Sequence, residues 1–122
     1  MDPCTYFPKK GNSHQDLAAK GVKITAVDYS SVASVQAALA GIDVLISTVG
    51  HDHLEVQDSL VLAAKAAGVK LFVPSEFGLP TDGPAGGVWG VKYELKQRLK
   101  DELHLPYAAF YTGLFPDYIF AR

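Results

Sequence analysis

The 122-residue chain contains a single cysteine, Cys4, which rules out an internal disulfide and a cysteine-rich metal site and makes a reducing compartment, the cytoplasm, the expected setting. Charge of one sign is never concentrated: 11 Lys and Arg against 13 Asp and Glu leave a formal net charge of -2 without a basic stripe. Nucleic acid is therefore not an expected partner, because its binders gather Lys and Arg on one face. Apolar runs such as residues 69–74 fall far short of the ~20 residues of a membrane-spanning helix, so no membrane span is expected. Residues 1–12 hold Pro3, Pro8, Lys9 and Lys10 with no apolar stretch after a basic start, which is not the pattern of a secretory signal. They show neither the helical nor the strand period and read as a loosely ordered N-terminal segment.

What is present suits one globular domain: 48% hydrophobic and 20% charged residues supply a core and a solvated surface. From Ser13, which can cap a first turn, a short helix is expected to reach Lys20 and end at Gly21. Val22, Ile24 and Ala26 alternate with Lys23 and Thr25 as a strand that Asp28 closes. Ser30 and Ser31 then stand where a helix cap belongs, before Val32, Val35, Ala38 and Leu39 on one face and the stop at Gly41. Residues 42–47 are almost continuously apolar, which predicts a strand covered on both faces and hence a parallel sheet. Val56, Leu60, Ala63, Ala64 and Ala67 mark a helix ending at Gly68, and residues 69–74 form another buried strand. After a Gly- and Pro-rich loop over residues 79–90, Val91, Leu95, Leu99 and Leu103 predict a helix, followed by a fourth strand over residues 106–111.

This alternation predicts an α/β fold with a doubly wound parallel sheet, whose ligands bind beyond the carboxyl ends of the strands. Three such ends carry distinctive chemistry. Ser47-Thr48-Val49-Gly50 offers small residues that let a flat ring or a ribose approach the backbone, and equally suits a tight turn capped by Thr48. His51 and His53 follow two apart, on different sides of a helix and without a third ligand type nearby, so no metal site is expected. Pro74-Ser75-Glu76-Phe77-Gly78 delivers a hydroxyl, a carboxylate and a ring together; its alternative is a loop whose Ser75 and Glu76 satisfy backbone donors. Lys92 is expected in the first turn of the last helix, beside an apolar wall that would disfavour its charge and suit it to proton exchange. A solvated surface lysine is the alternative, and Lys96 is placed among the charges that this helix offers to water.

In order along the chain, Val44-Leu45-Ile46-Ser47-Thr48-Val49-Gly50, Val69-Lys70-Leu71-Phe72-Val73-Pro74-Ser75-Glu76-Phe77-Gly78, Gly90-Val91-Lys92 and Leu105-Pro106-Tyr107 resemble the NmrA-like family, and within it the isoflavone-reductase-like branch. The resemblance spans residues 21–120. It implies a Rossmann-type domain over residues 13–122, NADPH as cofactor, and a small-molecule substrate of the phenolic class that is reduced. By the same resemblance Thr48, Val49 and Gly50 lie along the cofactor, Ser75 stands at its site, and Lys92 matches the proton-transferring lysine. Lys96 stands where relatives often carry a basic cofactor contact, and Phe115 resembles an aromatic packed near the nicotinamide. The tyrosine that the broader short-chain dehydrogenase group places four residues before the lysine is here Val88, so a tyrosine mechanism is not implied.

A family member opens with a glycine-rich turn of the G-x-x-G-x-x-G type, whose amides at a helix start hold the pyrophosphate. This sequence has no such turn: Gly11 lacks partners at that spacing, and Gly83, Gly86, Gly87 and Gly90 follow a strand already assigned. The domain is thus expected to be partial. A non-catalytic dinucleotide-sensing module and an inactive fragment with an exposed, self-associating sheet edge stand as the alternatives to a reductase.

Overall fold

The computed structural model describes residues 5–7 and 14–120. Thr5–Tyr6 (β1) pairs in parallel with Lys23–Ile24 (β2), and the short helix Gln15–Ala19 (α1) crosses between them. Thr5–Tyr6 thus differs from the loose segment expected of residues 1–12; a ladder of two residues is too short to impose a period on the sequence. Ser13, the expected cap of α1, lies outside the described residues, and His14 stands at the helix start without a capping hydrogen bond from its side chain.

The next helix, Val32–Ala38 (α2), begins as its sequence predicts: the Ser31 hydroxyl accepts the Ser34 amide at 3.2 Å, satisfying one of the free donors of the first turn. Val44–Ile46 (β3) leads through a single 3-10 turn at His51–His53 into Val56–Ala67 (α3), which ends at Gly68. At φ 77°, Gly68 holds the left-handed conformation that a side chain would strain, and its amide closes the last turn. Leu71–Val73 (β4) runs parallel to β3, in register from Val44 opposite Leu71 to Ile46 opposite Val73.

The last helical stretch begins earlier than the four-residue spacing of leucines indicates. Gly87–Gln97 (α4) starts at Gly87 rather than Val91, which places Lys92 in the second turn, and the helix widens into a π-type turn over Arg98–Glu102. Gly90 is what lets the helix begin there: a Cβ on it would stand 2.1 Å from the Ala85 carbonyl oxygen. The expected fourth strand is reduced to one parallel bridge, Tyr107 beside Phe72, in which the Phe72 amide donates to Pro106 and the Ala108 amide to Phe72. A short helix, Pro116–Phe120 (α5), follows.

Among the described residues the parallel strands form two separate ladders, β1 with β2 and β3 with β4. In a doubly wound sheet of order 3-2-1-4-5-6, strands 2 and 3 lie on one side of the first strand and strands 4 to 6 on the other. The two ladders match those two flanks, with Tyr107 as the remnant of the outermost strand. The arrangement corrects the expectation that β3 is covered on both faces. Leu45 is buried, but Val44 and Ile46 are 47% and 57% exposed, because no described element packs on their side. The core lies on the other side, where α2 and α3 pack over the sheet around Val35, Leu39, Leu60, Val61 and Phe72, with Leu99 closing it from the π-type turn that follows α4. No helix of the described residues is long and apolar enough to cross a membrane.

Candidate functional site

The carboxyl ends of β3 and β4 are stitched together by Ser75. Its hydroxyl donates to the Val49 carbonyl at 2.7 Å, and its amide donates to Gln57 Oε1 at 2.8 Å. Ser75 is buried, so its polar groups serve this stitch, which fixes where the chain leaves each strand. Gln57 was not singled out by its sequence, yet a polar residue on the apolar face of α3, in line with Leu60, Val61 and Ala64, is a signal: a buried amide there must find partners. Gly50 opens onto free space, with no atom within 4 Å of a Cβ placed on it.

Beyond Ser75, Glu76 becomes the hub of a buried charge cluster. Its carboxylate accepts the Thr81 hydroxyl at 2.8 Å, and Lys96 Nζ stands 3.4 Å from the same Oε1. Lys96, expected to face water, is instead buried at 2% exposure. The four-residue spacing of α4 could not reveal this, because the loop that covers the lysine lies outside the helix. Its ammonium donates to Thr81, Asp82 Oδ1 at 3.0 Å and the Tyr111 hydroxyl at 2.6 Å. Burial pushes its proton affinity down, but the hydrogen bonds to Tyr111 and Asp82 and the Glu76 charge outweigh that effect and hold it above the ordinary lysine value. Lys96 therefore pins the loop at Thr81 and Asp82 and the segment at Tyr111 against α4. Thr81, Asp82 and Tyr111 are the residues of this cluster that sequence patterns missed.

Lys92 is the second cation of α4 to reach Glu76. Its Nζ donates to the Glu76 carbonyl at 3.0 Å and stands 3.9 Å from Oε2, with its side chain 15% exposed. That small exposed part opens into a cleft of about 350 Å³, whose walls include Val49, Gly50, Ser75, Glu76, Lys92 and Phe115. The cleft unites five of the sequence-selected positions with the hub. Thr48 and Lys96 are not among its walls: Thr48 is exposed beside it and Lys96 lies behind Glu76. The far wall hangs on a hydrogen bond from the Gly113 amide to the Gly78 carbonyl at 3.1 Å, which brings the segment carrying Phe115 back over the strand ends. Among the described residues no group of three His, Cys, Asp or Glu is placed to hold a metal ion.

The profile of the NmrA-like family matches residues 7–121. The chain belongs to that family. Its relatives include the isoflavone reductase homolog P3 of Arabidopsis thaliana, 35% identical over 91% of this chain. They also include solved structures. That of AtPrR2 with NADP+ and (+)pinoresinol superposes with a TM-score of 0.81 at 25% identity, over 94% of this chain and 42% of that one. The leucoanthocyanidin reductase–NADPH complex of Vitis vinifera gives 0.72 at 27% identity, over 86% and 39%. These likenesses establish a Rossmann-like reductase fold for this NmrA-like chain, which spans 37% of the length of the Arabidopsis relative.

Proposed function

We propose that this chain is the proton-transferring part of an NADPH-dependent reductase domain for phenolic compounds, with Lys92 as its general acid. The observation that carries the reading is the position of Lys92: a largely buried side chain, held by Glu76, that lines the same cleft as Gly50 and Phe115. The relatives support the rest, since the solved structures named above hold NADP+ or NADPH, and one of them pinoresinol.

The residues present fit the nicotinamide end of such a cofactor. Gly50 leaves open space against the backbone, Val49 and Leu114 offer apolar walls, and Phe115 supplies a ring. When bound there, NADPH supplies the hydride. The chain's own contribution is to exclude water with Phe115 and to keep the ends of β3 and β4 in fixed relation through Ser75. It also holds a proton on Lys92 Nζ, which can go to the atom that takes up the displaced electron pair when the neighbouring carbon accepts hydride, either a departing phenolic oxygen or the other carbon of a conjugated double bond. The pyrophosphate has no glycine-rich helix start among these residues, and Lys96 is committed to its own cluster rather than to the cleft. The single cysteine is the ground for placing the chain in the cytoplasm, and the edge of β3 that is unpaired among the described residues is the surface through which copies would self-associate.

Titration of the chain with NADPH, followed through the half-exposed Trp89 of α4, tests the reading. Saturable quenching at micromolar cofactor supports it, and its absence removes the cofactor from this chain. The second reading is a dinucleotide-sensing module, which calls for the same glycine-rich turn as a reductase; binding without oxidation of NADPH in the presence of phenolic substrates decides for it. A Lys92→Ala variant that keeps full turnover takes Lys92 out of the mechanism.

A further inference from the structure

Glu76 has one oxygen with work still to do. Both its oxygens are sealed from solvent, its side chain being 1% exposed, yet only Oε1 is engaged, by Thr81 and Lys96. Oε2 has no hydrogen-bond partner, and a buried carboxylate oxygen without one is costly. Lys96 is not placed to supply it, since its three protons are already shared among two Thr81 oxygens, Asp82 and Tyr111. Lys92 Nζ faces Oε2 at 3.9 Å. Lys92 in turn spends one N–H on the Glu76 carbonyl and keeps two others, one side of its ammonium facing Oε2 and the other the cleft.

We infer that Glu76 is the positioning residue for Lys92: its Oε2 acts as buried counter-ion to the Lys92 ammonium, while Lys96 and Thr81 brace the carboxylate from behind. A movement of about 1 Å closes the 3.9 Å separation to a charge-assisted hydrogen bond. The ammonium is thus held by two acceptors of one residue, and the proton it carries stays at the wall of the cleft. The other ionisable groups around it are few. His51 lines the same cleft from the 3-10 turn and is engaged with Asp52 at 3.0 Å, while Asp82 and Tyr111 lie beyond Lys96. The inference deepens the proposed role of Lys92 and rests on it for its functional meaning, but its test needs neither cofactor nor turnover.

The test is competitive acylation of the chain by acetic anhydride over a range of pH, with Lys92 compared by peptide mass spectrometry against the exposed Lys65. Glu76→Gln keeps the backbone carbonyl that Lys92 uses and removes only the charge. The expected result is that Lys92 labels faster at fixed pH by about threefold or more and that its labelling profile moves to lower pH, with Lys65 unchanged. A mere change in access scales the rate without moving the profile, so a profile that stays in place overturns the inference. Should Glu76→Gln fail to fold, Glu76→Gln with Lys96→Met removes both buried charges together, and the Lys92 profile is again expected to move to lower pH. Failure of NADPH to bind leaves this result standing; an unmoved profile leaves NADPH binding standing.

Discussion

Gln57 Oε1 accepts the Ser75 amide at 2.8 Å, so a buried side chain of α3 ends the ladder of β4 in place of a backbone carbonyl. Replacing it with leucine keeps the volume and removes the acceptor, leaving the Ser75 N–H buried and unpaired. Gln57→Leu is expected to cost about 1–3 kcal/mol in urea denaturation. An unchanged midpoint would show that the tie contributes nothing to stability.

The Lys96 cluster gives a pH dependence whose sign is fixed. Its proton is held more tightly in the fold than at the ordinary lysine value of 10.5, so the unfolded chain releases it first as pH rises. The stabilisation is complete below that value and drains away as pH climbs through it toward the folded one. Tyr29 adds to the same trend: burial, then the nearby Tyr6, raise its phenol above 10.0, so the neutral form is favoured in the fold. Urea midpoints are therefore expected to fall above about pH 10. In Lys96→Met the lysine part of that slope disappears, and stability at neutral pH falls by about 3 kcal/mol or more, because Glu76 stays buried without its brace.

Gly90 makes a steric prediction. The methyl of Gly90→Ala meets the Ala85 carbonyl oxygen at 2.1 Å, a backbone atom that can yield only if the loop moves. A loss of about 1–3 kcal/mol is expected, together with faster proteolytic cleavage within residues 79–86. A loop as resistant as that of the wild type would place the contact elsewhere.

Among the described residues Phe72 is the largest fully buried side chain, and it stands at the junction of β4, Tyr107 and the helices. Phe72→Ala is expected to cost about 3–5 kcal/mol, read from the thermal or urea transition.

The sequence makes these features legible to unequal degrees. The helix Val56–Ala67 and its stop at Gly68 are plain in it because apolar spacing and a left-handed glycine are local facts. So is the cap at Ser31. The family strings place Val49, Gly50 and Ser75 at the ends of strands and Lys92 on a helix, the same resemblance singles out Phe115 beyond them, and the fold gathers all five around one cleft. What sequence spacing cannot supply is anything decided by a distant loop. Lys96 reads as a surface residue of an amphipathic helix, and becomes buried only because Thr81, Asp82 and Tyr111 converge on it from two other segments. Likewise Val44 and Ile46 read as buried because they are apolar, whereas burial needs an element packed against them.

Among the described residues the ladder of β1 with β2 shares no strand with that of β3 with β4; it is joined to the rest at its margin, where Phe7, Val27 and Tyr29 pack against the core, Tyr29 donates to the Phe7 carbonyl and Ser59 donates to the Tyr29 carbonyl. The molecule therefore keeps two clocks. Amide protons of the β3–β4 ladder wait for the opening of the core beneath α2 and α3, whereas those of the first ladder are guarded by a two-residue pairing and wait only for the margin formed by Phe7, Val27 and Tyr29 to lift from that core.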